Sequence, residues 1–361
     1  MRVLVAPDKF AGTLTAVEAA EAIAVGWRRH APGDELELVP MSDGGPGFVD
    51  VLHASRGGDL LAVTVPGPFG DPVPAAVLRV GDTAYVECAQ ACGVHLTGGE
   101  GGASASTAGV GGLVAAAVAS GAGRVVVGLG GSGTNDGGAG LLGALGATAD
   151  RPLDRGGEAL AGVAAVDLAP ARSAVAGVEL VIASDVDSPL TGLFGATKTF
   201  GPQKGVAEAD LPGLDAVLEG FAAATDRRTA LEPGAGAAGG LGHALLLLGA
   251  TRVPGVEYVA EAVGLAERAR DADLLLTGEG AFDFSSRAGK VPFGVAAVAS
   301  AALRPCVAIA GRVLVGSREM RALGMDAAYA LVDVVGEERS FADPAGALAE
   351  TAERVARTWS R

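Results

Sequence analysis

The stretch RVVVGLGGSGTNDGGAGLLGALGA, residues 124–147, decides the fold predicted for this chain. Its valines at 125–127 form an uninterrupted β-branched run, which predicts a strand buried on both faces, as in a parallel α/β sheet. Nine of the nineteen residues 128–146 are glycine, and glycine lets backbone N–H groups approach a ligand closely. Asp136 is a predicted N-cap for a short helix over 137–145. A strand, a polar glycine loop and a helix N-terminus together favour an anion site, most often for phosphate.

The same glycine loop permits two other interpretations. Gly128, Gly130 and Gly133 match GxGxxG, but a single match is weak, and a tight turn in a glycine-rich chain would give the same pattern. A dinucleotide site would also need an acidic residue roughly twenty positions later, at the end of a second strand. Asp150 lies near that distance, but its neighbours do not resemble a buried strand. We therefore favour phosphate over a nicotinamide cofactor.

Composition limits the class of protein. A chain of 361 residues is long enough for about two domains. With 49% hydrophobic but only 4% aromatic residues, the cores are expected to be alanine, valine and leucine. The net charge of −15 argues against nucleic acid and anionic membranes as partners. Three cysteines are too few for a disulfide framework, and no leader or membrane-spanning run is evident, so we expect a cytoplasmic protein.

Lysine is rare and confined to loop-like sequence. Only four of the 27 basic residues are lysine: Lys9, Lys198, Lys204 and Lys290. Arginine supplies the other cations, so a position that keeps lysine is a candidate for a compact ammonium with a functional role.

Acidic residues follow several predicted strands. Asp8 and Lys9 come after a strand over 1–7, and Asp43 follows a second strand over 35–39. Ligands bind at the carboxyl ends of parallel strands, so these residues are expected to share a site. Asp185 and Asp187 follow a strand over 178–183, an arrangement that suits a hard cation or a general base but also an ordinary turn.

The predicted elements divide the chain into two domains. Alternation of strands and helices at both chain ends predicts a doubly wound, Rossmann-like α/β domain formed by 1–62 and 257–361. Short strands between residues 60 and 89, separated by Pro/Gly turns, predict antiparallel structure. Residues 63–256 are therefore expected to form a large inserted α/β domain with a mixed sheet and the glycine loop. The site would then lie in the cleft between the domains.

Seven motifs, in order along nearly the whole chain, resemble the bacterial glycerate kinases of the two-domain glycerate 2-kinase type. They are APDKFAGTLTA (6–16), PMSDGGPG (40–47), GLGGSGTNDGGAG (128–140), ASDVDSPLTG (183–192), FGPQKG (200–205), GAAGGLG (236–242) and TGEGAFDFSSRAGKVP (277–292). The resemblance implies transfer of the ATP γ-phosphoryl group to a hydroxyl of D-glycerate, with Mg²⁺. It favours 2-phosphoglycerate over 3-phosphoglycerate. The oligomeric state, monomer or homodimer, is not predicted.

The motifs contain the groups that phosphoryl transfer needs, namely a backbone cradle, cations, carboxylates for Mg²⁺ and a base. Neither a P-loop nor a protein-kinase motif set is present. Catalytic roles are predicted for Asp185, Lys290, Lys9 and Asp8. Substrate binding is predicted for Asp43, Asp283, Lys204 and Arg287. Binding of ATP is predicted for Gly130, Gly131, Ser132, Gly133, Thr134 and Asn135, and metal binding for Asp185, Asp187 and Glu279.

Four positions depart from the family pattern. The family commonly has lysine at Ala11, glutamate at Pro46, and arginine and glutamine at Ala281 and Ser285. Lys9 is close enough in sequence to compensate for the first. Two alternatives therefore stay open: an NAD-linked oxidoreductase that uses the GxGxxG loop, and a non-catalytic metabolite-binding relative of the kinase.

Overall fold

The computed structural model describes residues 1–283 and 290–360. In the first 57 residues the elements are β1 (Arg2–Val5), α1 (Ala16–His30), β2 (Glu35–Leu38) and α2 (Phe48–Arg56). Residues 58–254 contain β3 (Asp59–Pro66), β4 (Pro72–Val80), β5 (Thr83–Glu87), α3 (Ala89–Cys92), α4 (Val94–Thr97), α5 (Ala108–Ala119), β6 (Arg124–Gly128), α6 (Ala139–Ala144), β7 (Thr148–Ala149), β8 (Val166–Asp167), α7 (Ala169–Ala174), β9 (Glu179–Ala183), α8 (Ala196–Phe200), α9 (Leu211–Ala224), α10 (Leu241–Leu247) and β10 (Thr251–Val253). The remainder contains α11 (Gly255–Ala262), α12 (Leu265–Asp271), β11 (Leu274–Phe282), α13 (Val291–Ala301), β12 (Cys306–Val313), α14 (Ser317–Ala322), β13 (Ala327–Ala330), α15 (Leu331–Val335), α16 (Glu337–Ala342) and α17 (Pro344–Trp359).

The chain divides into two compact units. The first consists of Met1–Asp43, Asp50–Gly57 and Gly255–Arg361, so it uses both ends of the chain. The second consists of Gly44–Val49 and Gly58–Pro254. The short segment 44–49 thus belongs to the second unit, although it is flanked in sequence by residues of the first.

The first unit contains a five-stranded sheet in the order β13-β12-β11-β1-β2. All four strand pairs are parallel. From β1 the chain proceeds to β2 on one side, whereas β11, β12 and β13 extend on the other. The order therefore reverses between β1 and β11, and the carboxyl ends of these two strands form the switch point at which doubly wound sheets bind ligands.

The three central strands of this parallel sheet, β1, β11 and β12, are largely buried on both faces. Alternate side chains such as Val3, Leu276 and Ile309 pack with α1 and α17. The intervening Leu4 and Leu275 are also buried, which is why the strands have continuous rather than alternating hydrophobic sequence.

Helix α1 begins and packs as its sequence indicates. Thr15 and Glu18 have the sequence spacing of a capping box and form one, in which the Thr15 hydroxyl accepts the Glu18 N–H at 3.2 Å. Farther along the helix, Gly26 lies directly against α17. A Cβ at this position would be only 1.9 Å from the Ala349 carbonyl oxygen. The glycine permits this close helix contact.

The second unit contains a six-stranded mixed sheet in the order β10-β9-β6-β5-β4-β3. Strands β10, β9, β6 and β5 are parallel, whereas β4 pairs antiparallel with β5, and β3 pairs antiparallel with β4. Its core is mainly alanine, valine and leucine, as the composition predicts. The α/β class, with one parallel and one mixed sheet, is confirmed.

Several element boundaries differ from the sequence-based expectation. The sequence predicts a strand over 272–277 followed by a loop, but β11 continues to Phe282, so Glu279 lies in the strand. Helix α6 begins at Ala139 after Gly138, whose positive φ of 76° ends the glycine loop. Asp136 is therefore not the N-cap, although its carboxylate accepts the N–H groups of Gly138 at 2.9 Å and Gly140 at 3.2 Å.

Among the described residues, no helix is long and apolar enough to cross a membrane.

Candidate active site

A charged cluster lies at the switch point of the first unit. Asp8 and Lys9 follow β1, and Glu279 lies near the carboxyl end of the neighbouring strand β11. Asp43 follows β2, and Lys290 immediately precedes α13. Because these strands are parallel, their carboxyl ends bring together residues that are far apart in sequence.

Each lysine of this cluster lies near two carboxylates. Lys9 Nζ is 3.4 Å from Asp43 Oδ1 and 3.6 Å from Asp8 Oδ1. Lys290 Nζ is 3.7 Å from both Glu279 Oε2 and Asp283 Oδ1. Most of these distances exceed a normal hydrogen bond, so both ammonium groups can turn toward an anionic ligand without breaking tight contacts.

Burial gives Asp8 unusual protonation behaviour. Its side chain is 7% exposed, and burial raises the pKa of Asp8 to about 7; the ammonium of Lys9 opposes this, and the charges of Asp43 and Glu279 add to it. Although burial lowers the pKa of Lys9, the neighbouring Asp43 and Asp8 raise it, so Lys9 stays charged. Asp8 can therefore take up or release a proton near neutral pH.

In the second unit, the glycines of the 128–136 loop pack against the segment 44–46. A Cβ at Gly128 would lie 2.5 Å from the Gly44 carbonyl oxygen, and one at Gly130 would lie 2.5 Å from Gly45 Cα. Gly131 has φ +68°, and a Cβ there would be 2.6 Å from Pro46 Cγ. These glycines are thus required for close backbone packing, whether or not the loop also binds a ligand.

Several N–H groups of the loop are used to hold it in place. Leu129 donates to the Ala183 carbonyl at 3.0 Å, and Gly133 donates to the Cys92 carbonyl at 2.7 Å. Gly130 is half-buried and Gly131 exposed, whereas the chain from Ser132 to Asn135 is buried. Of the residues predicted to bind phosphate, only Gly130 and Gly131 are therefore accessible to a ligand.

The polar side chains of the loop point into the second unit. Lys204, which is 3% exposed, donates to Ser132 Oγ at 3.0 Å and to the Thr134 carbonyl at 2.7 Å. Burial lowers the pKa of Lys204 to about 8. Asn135 Nδ2 donates to Thr197 Oγ1 at 2.9 Å. In the described part of the chain, Thr134 Oγ1 and Asn135 Oδ1 are buried without a hydrogen-bond partner.

The two aspartates after β9 are in different environments. Asp187 Oδ1 lies 2.6 Å from Arg252, and its side chain is 78% exposed. Asp185 is half-buried. The Val186 N–H donates to Ser184 Oγ at 3.3 Å, so the turn here is formed by the serine hydroxyl and not by an aspartate carboxylate. Among residues 1–283 and 290–360, no group of three or more His, Cys, Asp or Glu side chains could hold a metal ion.

The predicted site residues thus form separate groups. The first unit brings together Asp8, Lys9 and Asp43, and it also brings together Glu279, Asp283 and Lys290. The second unit joins Lys204 to Ser132 and Thr134. Arg287 and Ser285 lie outside the described residues. The binding and catalytic roles of all these residues stay predictions.

Two buried carboxylates support the glycine loop; sequence reasoning missed Glu87 and assigned Asp136 only to a helix N-cap. Asp136 accepts both the N–H and the hydroxyl of Thr107 at 2.8 Å, in addition to its bonds to the start of α6. Glu87 accepts the N–H groups of Gly47 and Val49 at 3.1 and 3.3 Å, so it holds the segment 44–49 on β5. Thr107, Gly47 and Val49 are 29 to 40 residues from the carboxylates that they bind, so local spacing gives no signal for these contacts.

The acidic residue needed for the dinucleotide alternative has another use. Asp150 follows the two-residue strand β7, and its Oδ1 accepts the N–H groups of Ala164 at 3.1 Å and Ala165 at 3.3 Å. It fixes a turn, and it is not at the end of a buried parallel strand.

Comparisons with known proteins agree with the motif pattern. The profile of the Glycerate kinase family matches residues 3–360. The chain is 39% identical to a glycerate kinase of Bacillus subtilis (strain 168), over 99% of this chain and 97% of that one. It is 37% identical to glycerate 2-kinase of Escherichia coli (strain K12), over 93% and 92%. A solved structure from Salmonella typhimurium LT2, assigned as a glycerate kinase 2, superposes with a TM-score of 0.82 at 34% identity, covering 99% of this chain and 98% of that one. The chain belongs to the glycerate kinase family.

Proposed function

We propose that this protein transfers the γ-phosphoryl group of ATP to a hydroxyl of D-glycerate. The observation that carries the proposal is the buried Asp8 with a pKa of about 7 beside Lys9, at the switch point of a parallel sheet. A carboxylate of that pKa can accept the hydroxyl proton near neutral pH. The family match supports ATP and glycerate as the reactants.

In this proposal the residues of the first unit supply the base and the charge. Asp8 takes the proton of the attacking hydroxyl oxygen, which forms a bond to the γ-phosphorus while ADP leaves. Lys9 and Lys290 attract the anionic groups of the two substrates, and Asp43 and Asp283 orient these lysines through the contacts described above. Phosphoryl transfer depends mostly on such positioning and charge neutralisation.

Magnesium fits the donor atoms that are present. Hard carboxylate oxygens suit Mg²⁺, which is usually held by one or two carboxylates together with substrate phosphates, not by a cage of protein ligands. The motif match implies Glu279, Asp185 and Asp187 as the candidates to hold it, and Asp187 would first have to be released by Arg252. When bound, the ion would neutralise phosphate charge.

The second unit would bind phosphate groups through the accessible start of its glycine loop, Gly130 and Gly131. Lys204 would act on that site from within by fixing Ser132 and the Thr134 carbonyl. Substrate binding by Arg287 is carried over from the motif alone. That both units contribute to one reaction stays a prediction of the sequence, as does a cytoplasmic location.

The experiment that tests the proposal is a coupled assay of ADP release with D-glycerate, ATP and Mg²⁺. We expect ADP release that depends on all three, and its abolition by EDTA. Phosphorus NMR of the product distinguishes the expected 2-phosphoglycerate from 3-phosphoglycerate. Full activity after metal removal would exclude the role of Mg²⁺. No ADP release from a folded protein would favour the non-catalytic relative.

A further inference from the structure

An apolar cavity of about 250 Å³ lies within the first unit at the carboxyl edge of its sheet. Its lining includes Phe10, Ala11, Ala281, Arg312, Leu331 and Phe341. These residues follow β1, end β11 and β12, and follow β13. The cavity thus extends along the edge where doubly wound sheets bind their ligands.

Small residues keep this cavity open. A Cβ at Gly311 would lie 2.4 Å from the Gly280 carbonyl oxygen, so the two strands approach closely and glycine is required there. Ala11 and Ala281 contribute only methyl groups to the lining. In this chain, those two positions therefore suit an uncharged group.

Planar groups also line the cavity. The Phe341 ring is 60% exposed although it is a large apolar side chain, and burial of such a ring by a ligand would be favourable. The guanidinium of Arg312 is held by the carboxylate of Glu337. An aromatic ring and a guanidinium plane both stack on flat heteroaromatic rings.

The cavity adjoins the charged cluster through consecutive residues. Phe10 directly follows Lys9, and Gly280 directly follows Glu279. A ligand that occupies both places would lie near the ammonium groups of Lys9 and Lys290 at one end and against an apolar lining at the other.

We propose that this cavity binds the purine base of the phosphoryl donor. The inference rests on the proposed function, because it takes ATP and glycerate as the reactants. Glycerate has three carbons, two hydroxyls and a carboxylate, and the triphosphate is anionic. The base is the flat, uncharged ring among these groups, and it matches the apolar lining of Phe10, Leu331 and Phe341.

Adenosine tests the cavity without phosphates and without turnover. We expect calorimetric titration of adenosine into the intact protein to show binding that Phe341→Ala weakens on the order of tenfold, since stacking of a base on an aromatic ring has about that effect. Phe341→Trp should retain binding. Ala281→Phe, which fills the cavity, should abolish it in a protein with an unchanged melting temperature. Phe69→Ala is the matched control, because Phe69 is 54% exposed in the turn between β3 and β4 of the other unit.

Kinetics separates the base from the acceptor. In Phe341→Ala the KM for ATP should rise about tenfold, while the KM for glycerate and kcat change little. A rise in the KM for glycerate alone would assign the cavity to the acceptor and overturn the proposal. Equal adenosine binding in folded Phe341→Ala and Phe69→Ala would also overturn it.

The two proposals can fail separately. Glycerate phosphorylation by a protein that does not bind adenosine would leave the proposed function intact and remove the base from this cavity. Adenosine binding that is weakened by Phe341→Ala, in a protein that releases no ADP with glycerate, would support the cavity and remove the proposed acceptor.

Discussion

Lys204 in the second unit and Lys290 in the first are both loop lysines next to a glycine. Their structural environments differ. Lys204 is 3% exposed, and its ammonium donates to Ser132 Oγ and the Thr134 carbonyl. Lys290 is 32% exposed and lies 3.7 Å from two carboxylates. Both follow or precede glycine in a chain that otherwise prefers arginine.

The difference shows that a rare lysine can serve two purposes. A buried ammonium with backbone and hydroxyl partners, such as that of Lys204, joins parts of the fold. A partly exposed ammonium at 3.7 Å from its carboxylates, such as that of Lys290, can exchange those partners for a phosphate or a carboxylate of a ligand. The residue type alone identified both positions, but only burial and partner chemistry distinguish them.

The largest expected effect is the fall in kcat when Lys290 is replaced. Lys290→Met keeps the aliphatic stem and removes the charge, so kcat should fall on the order of 10², as for the loss of one strong electrostatic contact in the transition state. Because its ion pairs are partly exposed, the free energy of unfolding should change by less than about 1 kcal/mol. Steady-state kinetics and thermal melting measure the two effects.

Lys198 provides the matched control for this substitution. Its ammonium lies 3.4 Å from Asp215 Oδ2, and its side chain is 35% exposed on α8. Lys198→Met should leave kcat within about twofold of the parent, which corresponds to roughly 0.4 kcal/mol. Equal kcat values for the two variants would make Lys290 an ordinary surface lysine. A rise in the KM for glycerate alone in Lys290→Met would limit it to substrate binding.

The second prediction concerns stability and Lys204. Lys204→Met should lower the free energy of unfolding by roughly 1–3 kcal/mol, because the buried Thr134 carbonyl loses its donor. Burial of the ammonium is itself costly, so an increase in stability would mean that this cost exceeds the value of the two hydrogen bonds. Denaturant titration at pH 7 measures the change.

The pH dependence sharpens that measurement. The pKa of Lys204 is lowered from 10.5 to about 8 in the folded protein, so the unfolded chain binds more protons between these values. Lys204 should therefore make the folded state more stable as the pH rises from 8 to 10.5. The dependence should be absent from Lys204→Met. A parallel pH dependence in both proteins would show that Lys204 does not cause it.

The third prediction separates packing from ligand binding in the glycine loop. Gly131→Ala should cost about 1–2 kcal/mol of stability, because alanine disfavours the φ of +68° at this position, and should add a clash with Pro46. Pro46→Gly should recover the steric part of the loss but not the backbone part. If the stability losses of Gly131→Ala and Pro46→Gly simply add in the double variant, there is no steric conflict between these two positions.

The α/β class and the strands that carry the site were predictable from the sequence. Continuous valine runs such as 125–127 give β6, and the Thr15–Glu18 pair gives the start of α1, because both depend on local spacing. The prediction failed where a distant partner decides the conformation. Strand β11 continues past Thr277 because β12 pairs with it as far as Phe282.

The candidate site was predictable only as a set of residues at strand ends. Parallel pairing of β1 with β11 explains why Asp8 and Glu279 influence each other. The inward orientation of Ser132 and Asn135 depends on Lys204 and Thr197, which are 62 to 72 residues later. No local pattern contains that information, so the loop was expected to be more accessible than it is.

The smallest expected effect is the pH dependence of kcat/KM that is due to Asp8. If Asp8 is the base, its ionised form is active, so kcat/KM should rise through an apparent pKa near 7 and be about tenfold lower at pH 6 than on the plateau. Asp43→Asn should move this limb to lower pH, because the charge of Asp43 raises the pKa of Asp8.

The contribution of Asp8 to the free energy of unfolding should fall as the pH rises, whereas kcat/KM rises. Its pKa is raised from 3.8 to about 7 by folding, so the folded protein binds more protons than the unfolded chain between these values. Asp8 therefore favours the folded state most at low pH, and this contribution should decrease as the pH rises from 3.8 to 7. Asp8→Asn should remove both the stability change and the kinetic limb. A variant that loses the stability change but keeps the kinetic limb would identify another residue as the base, whereas Lys204→Met, which acts in the alkaline range, should leave both unchanged.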